Sequence, residues 1–150
     1  MKKFIFLVII LKLTGCTGYE PVFSSKDLNL SISKIEISKN DKISQKIKKK
    51  LKPYEIRKGS NEISIEINSL RTTEIIAKDA KGDASMFNLI IQSNIKIYSE
   101  GTQVKNLNFR EKFSYKNQQN KFELNQYKNS IENELINKIF EKIILNLRTL

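Results

Sequence analysis

Side chains able to do covalent or acid–base chemistry are scarce in this chain of 150 residues. Histidine is absent, which excludes imidazole acid–base catalysis, histidine-based triads and histidine metal ligands. Cysteine occurs once, as Cys16. The five glycines are scattered and form no phosphate-cradling loop. The segment Gly82-Asp83-Ala84-Ser85 superficially suggests a nucleophile turn. It lacks both the second glycine and a base, so it reads as a polar loop. Asp79 and Asp83 have the spacing of a carboxylate pair, but Lys78 and Lys81 sit beside and between them. Salt-bridged loop charges are the expectation there. The sequence therefore predicts no enzyme, no metal site and no bound cofactor.

Cys16 is the exception, because of what precedes it. Lys2 and Lys3 form a positive start, residues 4–11 are an unbroken apolar run of eight, and small residues follow. Eight apolar residues cannot span a hydrocarbon core that takes roughly 20 residues as helix. A secretory signal alone would leave an unpaired thiol in an oxidising compartment. Leu13-Thr14-Gly15-Cys16 resembles a bacterial lipobox: aliphatic, small, small, cysteine. Lys12 departs from that pattern by interrupting the apolar run. The resemblance implies cleavage before Cys16, diacylglycerol on its sulfur and an acyl chain on its new amino group. The thiol is then consumed, which removes thiolate chemistry as well. Thr17, standing where aspartate would retain such a protein at the inner membrane, implies sorting to the outer membrane. Acyl chains contribute about 0.8 kcal/mol per buried CH₂, so several chains hold a soluble domain firmly.

Removing residues 1–15 takes three lysines with it and leaves 24 basic residues against 16 acidic, a charge of +8. A basic excess suits an anionic partner. Lysine, isoleucine and asparagine also make up 61 of the 150 residues, a bias expected of an A- and T-rich genome, so charge alone decides little. An exported lipoprotein is not expected to bind nucleic acid.

The elements that would position any site follow from periodicity. Residues 18–27, with Pro21, Ser24 and Ser25, suit an extended tether. Leu28, Leu30 and Ile32 alternate with polar residues, and Ile35 and Ile37 continue on the opposite parity. A strand with a bulge near Ser33-Lys34 is predicted. Asn40 and Asp41 offer a helix N-cap before Ile43, Ile47 and Leu51, and Pro53 stops that helix. Its lysine-rich faces read as solvated surface. Ile63, Ile65 and Ile67 mark a second strand over residues 61–70. Residues 71–85, with mixed charges and Gly82, suggest a hairpin or a long connection. Phe87, Leu89, Ile91, Ile95 and Ile97 share one parity with Ser93 as the gap, which predicts a long third strand. A tight turn at Ser99-Glu100-Gly101-Thr102 returns the chain so that Leu107, Phe109, Phe113 and Tyr115 share a face. Residues 125–147 carry two adjacent apolar rows at four-residue spacing, the stripe of a helix packed on a sheet. The predicted fold is α+β, a two-layer sandwich of four strands and two helices in the order β-α-β-β-β-α. It comprises one domain over residues 28–150.

The lipobox, the run Gly18-Tyr19-Glu20-Pro21-Val22-Phe23 after it, and this element order together resemble the LptE (RlpB) family of lipopolysaccharide-assembly lipoproteins in its alphaproteobacterial form. The resemblance implies a lipoprotein on the periplasmic face of the outer membrane. There it would form a plug-like complex with an LptD β-barrel and bind lipopolysaccharide on its way to the cell surface. Lipid A phosphates are ligands for charge-assisted hydrogen bonds from lysine and arginine. The candidate contacts are Arg71, Lys78 and Lys81 from the connection between the second and third strands, with Arg110 and Lys112 from the fourth strand. The alternative is a periplasm-facing lipoprotein serving another envelope assembly or transport machine.

Overall fold

A computed structural model describes residues 31–55 and 62–150. The signal segment, Cys16, the tether, and Leu28 and Leu30 of the first predicted strand lie outside the described residues. The elements run β1 (Ser31–Ile37), α1 (Lys42–Leu51), a 3₁₀ turn (Lys52–Tyr54), β2 (Glu62–Lys78), β3 (Ala84–Ser99), β4 (Thr102–Lys116) and α2 (Lys121–Leu147). This is the predicted β-α-β-β-β-α sandwich. The sheet order is β1-β2-β3-β4, with β1 parallel to β2 and the other pairs antiparallel. A parallel pair needs a crossover, and α1 supplies it.

Local chemistry sets most boundaries. The β1–β2 register shifts between Ile32 and Lys34, so the bulge lies where the parity of the sequence changes. The Asp41 carboxylate caps α1 by accepting from the Ser44 N–H at 2.7 Å. Pro53 lies in the 3₁₀ turn that follows the helix. Glu100 and Gly101 both take positive φ, 50° and 80°, as a two-residue hairpin turn between β3 and β4 requires. Asn120 caps α2 by accepting from the Phe122 and Glu123 N–H groups. The helix therefore begins at Lys121, four residues before the sequence expectation.

Ile32, Ile35, Ile63, Ile65 and Ile67 of β1 and β2, with Leu89, Ile91, Ile95 and Ile97 of β3, line the inner face. Ile43, Ile47 and Leu51 of α1 and Ile131, Leu135, Ile136, Ile139, Ile143, Ile144 and Leu147 of α2 close over them. Tyr127, expected in that row, is 41% exposed. Ser93, the gap in the β3 pattern, is buried opposite Ser69, and the two hydroxyls share a hydrogen bond of 2.9 Å. Among the described residues no helix covers the outer face.

The largest difference from the sequence expectation concerns residues 71–85. β2 continues to Lys78 and β3 begins at Ala84, leaving only five residues in the turn. The hairpin so formed is about 55 Å long at roughly 3.3 Å per residue, whereas the ten residues of α1 reach about 15 Å. The hairpin therefore runs on well past α1. Its distal half has no buried face on β2: Ile75 and Ile76 are 56% and 45% exposed.

Candidate functional site

The residues singled out from the sequence fall into three places. Arg71 and Lys78 lie on β2 itself, not in a connection, because cross-strand pairing persists to the Lys78–Ala84 pair. Arg71 is opposite Ile91, which is opposite Glu111, so it points to the helix side of the sheet. Its Nε donates to Glu132 Oε2 at 2.9 Å, and Lys46 Nζ binds the other oxygen, Oε1, at 2.7 Å. Glu132 is buried, with only 5% of its side chain exposed. A lone buried carboxylate would be costly; here one cation from α1 and one from β2 flank it. Glu132 thus ties α1, α2 and β2 together, and Arg71 is engaged on the helix side through its Nε while its side chain stays 38% exposed.

Lys81 is the one candidate in the turn. The turn is held by Asp79, whose Oδ1 accepts the N–H groups of Lys81 and Asp83, each at 2.9 Å. The Asp79 N–H also donates to the Asp83 carbonyl at 2.8 Å, and Gly82 takes φ 86°. Salt bridging of these loop charges was expected, yet among the described residues no ion pair engages Asp79 or Asp83. The Asp79 carboxylate instead builds the turn by accepting from backbone N–H groups, the usual use of an aspartate there. That leaves Lys78 and Lys81 exposed at the distal tip.

Arg110 and Lys112 are neighbours on β4, opposite Gln92 and Ile90. They share the outer face, about 7 Å apart as i and i+2 residues of a strand. Arg110 has Gln92 as its cross-strand partner, and among the described residues no ion pair involves it. Lys112 stands in the row of Thr72 and Ile90, six residues of β2 from Lys78, or roughly 20 Å. The five basic candidates are therefore not one cluster. Arg71 faces inward, Lys78 and Lys81 mark the tip, and Arg110 and Lys112 mark the outer face of an edge strand.

Sequence reasoning missed what surrounds the tip. Lys116 ends β4 opposite Met86, and Asn117 fastens the chain beside the hairpin through its N–H to the Ser85 carbonyl at 2.8 Å and its amide to the Ala84 carbonyl at 2.9 Å. α2 starts at this same end, where Phe122 is 69% exposed. Phe87 and Tyr115 stack with centroids 5.4 Å apart, and Lys128 Nζ lies 5.7 Å from the Tyr115 ring. Burial raises the Tyr115 phenol above its ordinary value. The tip combines exposed apolar groups with lysines. The identities of the apolar residues were plain in the sequence, but their exposure depends on how short α1 is.

Nothing in the described part makes a catalytic constellation. Glu66 sits on the outer face of β2 and accepts hydrogen bonds from Ser38 and, at 2.8 Å, from the Tyr98 hydroxyl, with Lys96 at 3.4 Å. The bond from Ser38, then that from Tyr98, lowers its pKa, and the carboxylate raises that of Tyr98 in return. A carboxylate already satisfied by a hydroxyl, a phenol and an ammonium is a cross-strand clamp. Asn68, Leu70, Gln92, Asn94, Asn108 and Arg110 rim a shallow concavity of ≈ 360 Å³ in the middle of the outer face. The Asn94 amide donates to both Asn106 and Asn108, at 2.6 and 2.7 Å. Among the described residues no group of acidic or sulfur ligands could hold a metal ion, and no helix is long and apolar enough to cross a membrane.

With the architecture established, its relatives can be compared. The sequence matches no protein-family model and no curated protein sequence. Solved structures do match. The rare lipoprotein B of Shewanella oneidensis superposes with TM-score 0.60 at 10% identity, over 80% of this chain and 93% of that one. The chain shares the lipoprotein B fold. An uncharacterized lipoprotein B from Nitrosomonas europaea matches with TM-score 0.55 at 12% identity, over 81% of this chain and 84% of that one. A putative lipoprotein from Caulobacter crescentus CB15 gives 0.58 at 12% identity, over 83% and 92%. The LptE (RlpB) resemblance read from the sequence is thus upheld at the level of fold.

Proposed function

We propose that this chain is a lipid-anchored envelope lipoprotein of the LptE type, without enzymatic activity. It sits on the periplasmic face of the outer membrane, partners an LptD-like β-barrel and binds lipopolysaccharide. One coincidence carries the reading: a Leu-Thr-Gly-Cys lipobox precedes a domain whose fold is that of lipoprotein B. The two are independent, since the fold match is made by strands and helices that begin after the signal.

The basic residues divide their work on this reading. Arg71 holds the helices to the sheet. Lys78 and Lys81, at the end of the hairpin that exposes Ile75 and Ile76, suit an amphiphile that presents phosphate next to acyl chains. Arg110 and Lys112 are available on the outer face. The absence of histidine and the fully occupied hydrogen bonds of Glu66 support a binding role over catalysis.

The decisive experiment is purification of the native acylated protein from membranes. A one-to-one complex with a β-barrel of several hundred residues, and a triacylated cysteine at position 16 by mass spectrometry, are the expected results. Co-purification with a different envelope machine would move the chain to the alternative reading, and an unmodified Cys16 would remove the lipoprotein assignment. Charge reversal at Lys78 and Lys81 together should weaken lipopolysaccharide retention; unchanged retention would clear the tip of that role.

A further inference from the structure

The two edges of the sheet are finished differently. β1 is seven residues long, and its inward Ile32 and Ile35 are buried beneath α1. β4 is fifteen residues long and pairs only with β3, and among the described residues nothing pairs with its outer side. Three inward apolar residues of β4, Leu107, Phe109 and Phe113, are left half-covered, whereas Tyr115 at the end of the same row is buried. Leu107 and Phe113 lie opposite Ile95 and Leu89, which are 0% exposed, yet they and Phe109 are themselves only partly buried. The core stops short at this edge, on the side a further strand would occupy.

The solvent side of β4 carries an unspent charge. Arg110, Lys112 and Lys116 share one parity, with Ser114 between the last two, and among the described residues none of the three has an ion-pair partner. The one acid of β4, Glu111, faces the other way and is paired with Lys142 of α2. Cations on an edge repel indiscriminate pairing, and the same cations select an acidic strand. A second copy of this chain is disfavoured, because two β4 edges would set like charges against each other.

We infer that the free edge of β4 is a strand-addition surface for an extended segment of a partner protein that alternates apolar with acidic residues. The apolar side chains would complete the half-covered row of Leu107, Phe109 and Phe113. The acidic ones would face Arg110, Lys112 and Lys116. The backbone of β4 would supply the hydrogen bonds, and alternation at period two would supply register. The inference rests on the sheet alone, so it is independent of the lipid anchor and of lipopolysaccharide.

Backbone amide exchange of the full chain, followed by mass spectrometry, tests this. The probes are a nine-residue peptide alternating Val and Glu, and a peptide of the same composition with its Val and Glu in two blocks. The alternating peptide should slow exchange within β4 and leave β1 unchanged. Arg110→Glu with Lys112→Glu, both on the solvent face, should weaken that protection by roughly tenfold or more. Circular dichroism of the double variant checks that the sheet is retained, and Lys116→Glu alone gives a smaller loss of the same sign. Equal protection by the block peptide would reduce the effect to charge attraction and overturn the inference. So would protection confined to β1, protection indifferent to the double reversal, or none at about 1 mM peptide. Exchange in β4 that slows with protein concentration, without peptide, would assign the edge to a second copy instead.

Discussion

Near the β3–β4 turn the sheet lies beneath both helices, and beyond Ser69 and Ser93 β2 runs out from under α1. In the first region the inward residues of β2 and β3 are apolar and buried up to the turn: Ile63, Ile65 and Ile67 on β2, with Ile97 and Ile95 on β3. In the second the strands keep their hydrogen-bond ladder, but β2 turns mixed and exposed, with Arg71, Thr73 and Ile75 on the same parity. The difference teaches that strand pairing and core packing are separable here. The ladder extends as far as two segments can stay in register, whereas burial extends only as far as a helix reaches.

The contrast can be tested from its strongest consequence downward. Ile95→Ala, in the covered half, should cost about 2–5 kcal/mol in urea denaturation, while Ile75→Ala at the exposed end should stay within about 0.5 kcal/mol. Equal costs would mean that the distal hairpin is packed against something. Glu132→Gln should cost about 1–3 kcal/mol, since Lys46 and Arg71 lose their counter-charge though both still see solvent. The loss should shrink in the Glu132→Gln, Arg71→Gln double variant if Arg71 serves the interior.

Ser69 and Ser93 mark the boundary between the regions. Ser93→Ala should cost about 1 kcal/mol by stranding the buried Ser69 hydroxyl, and adding Ser69→Ala should recover much of it. The smallest effect belongs to Glu66. The hydrogen bond from Ser38, then that from Tyr98, outweighs burial and holds its folded pKa below the ordinary 4.5. Its contribution is therefore complete above that ordinary value and fades as pH falls through the folded one. Glu66→Gln should lower stability slightly at neutral pH and converge with the parent protein as pH falls below about 4.5, which flattens the acid limb of the stability–pH profile.

Much of the fold was legible because short-range rules wrote it. The parity change at Ser33-Lys34 became the bulge, Asp41 became the cap, and Glu100-Gly101 became the positive-φ turn. The site was less legible. Arg71 looks in sequence like any exposed arginine at the end of a strand pattern. Only α2, folding back from 61 residues away, brings Glu132 to it. Asp79 looked like one half of a salt bridge and proved to be the acceptor that shapes its own turn.

The sequence by itself determined the succession of strands and helices and the inward face of most packed elements, and it carries the lipobox-like run before them. Those depend on side-chain periodicity and on caps acting over a few residues. Tertiary structure alone decided that β2 continues to Lys78, since alternation is written only where one face is buried and disappears where the ladder alone holds the strand. It also decided that β4 ends the sheet with its apolar row half-covered. That outcome depends on where α2 comes to rest, and no local pattern contains it.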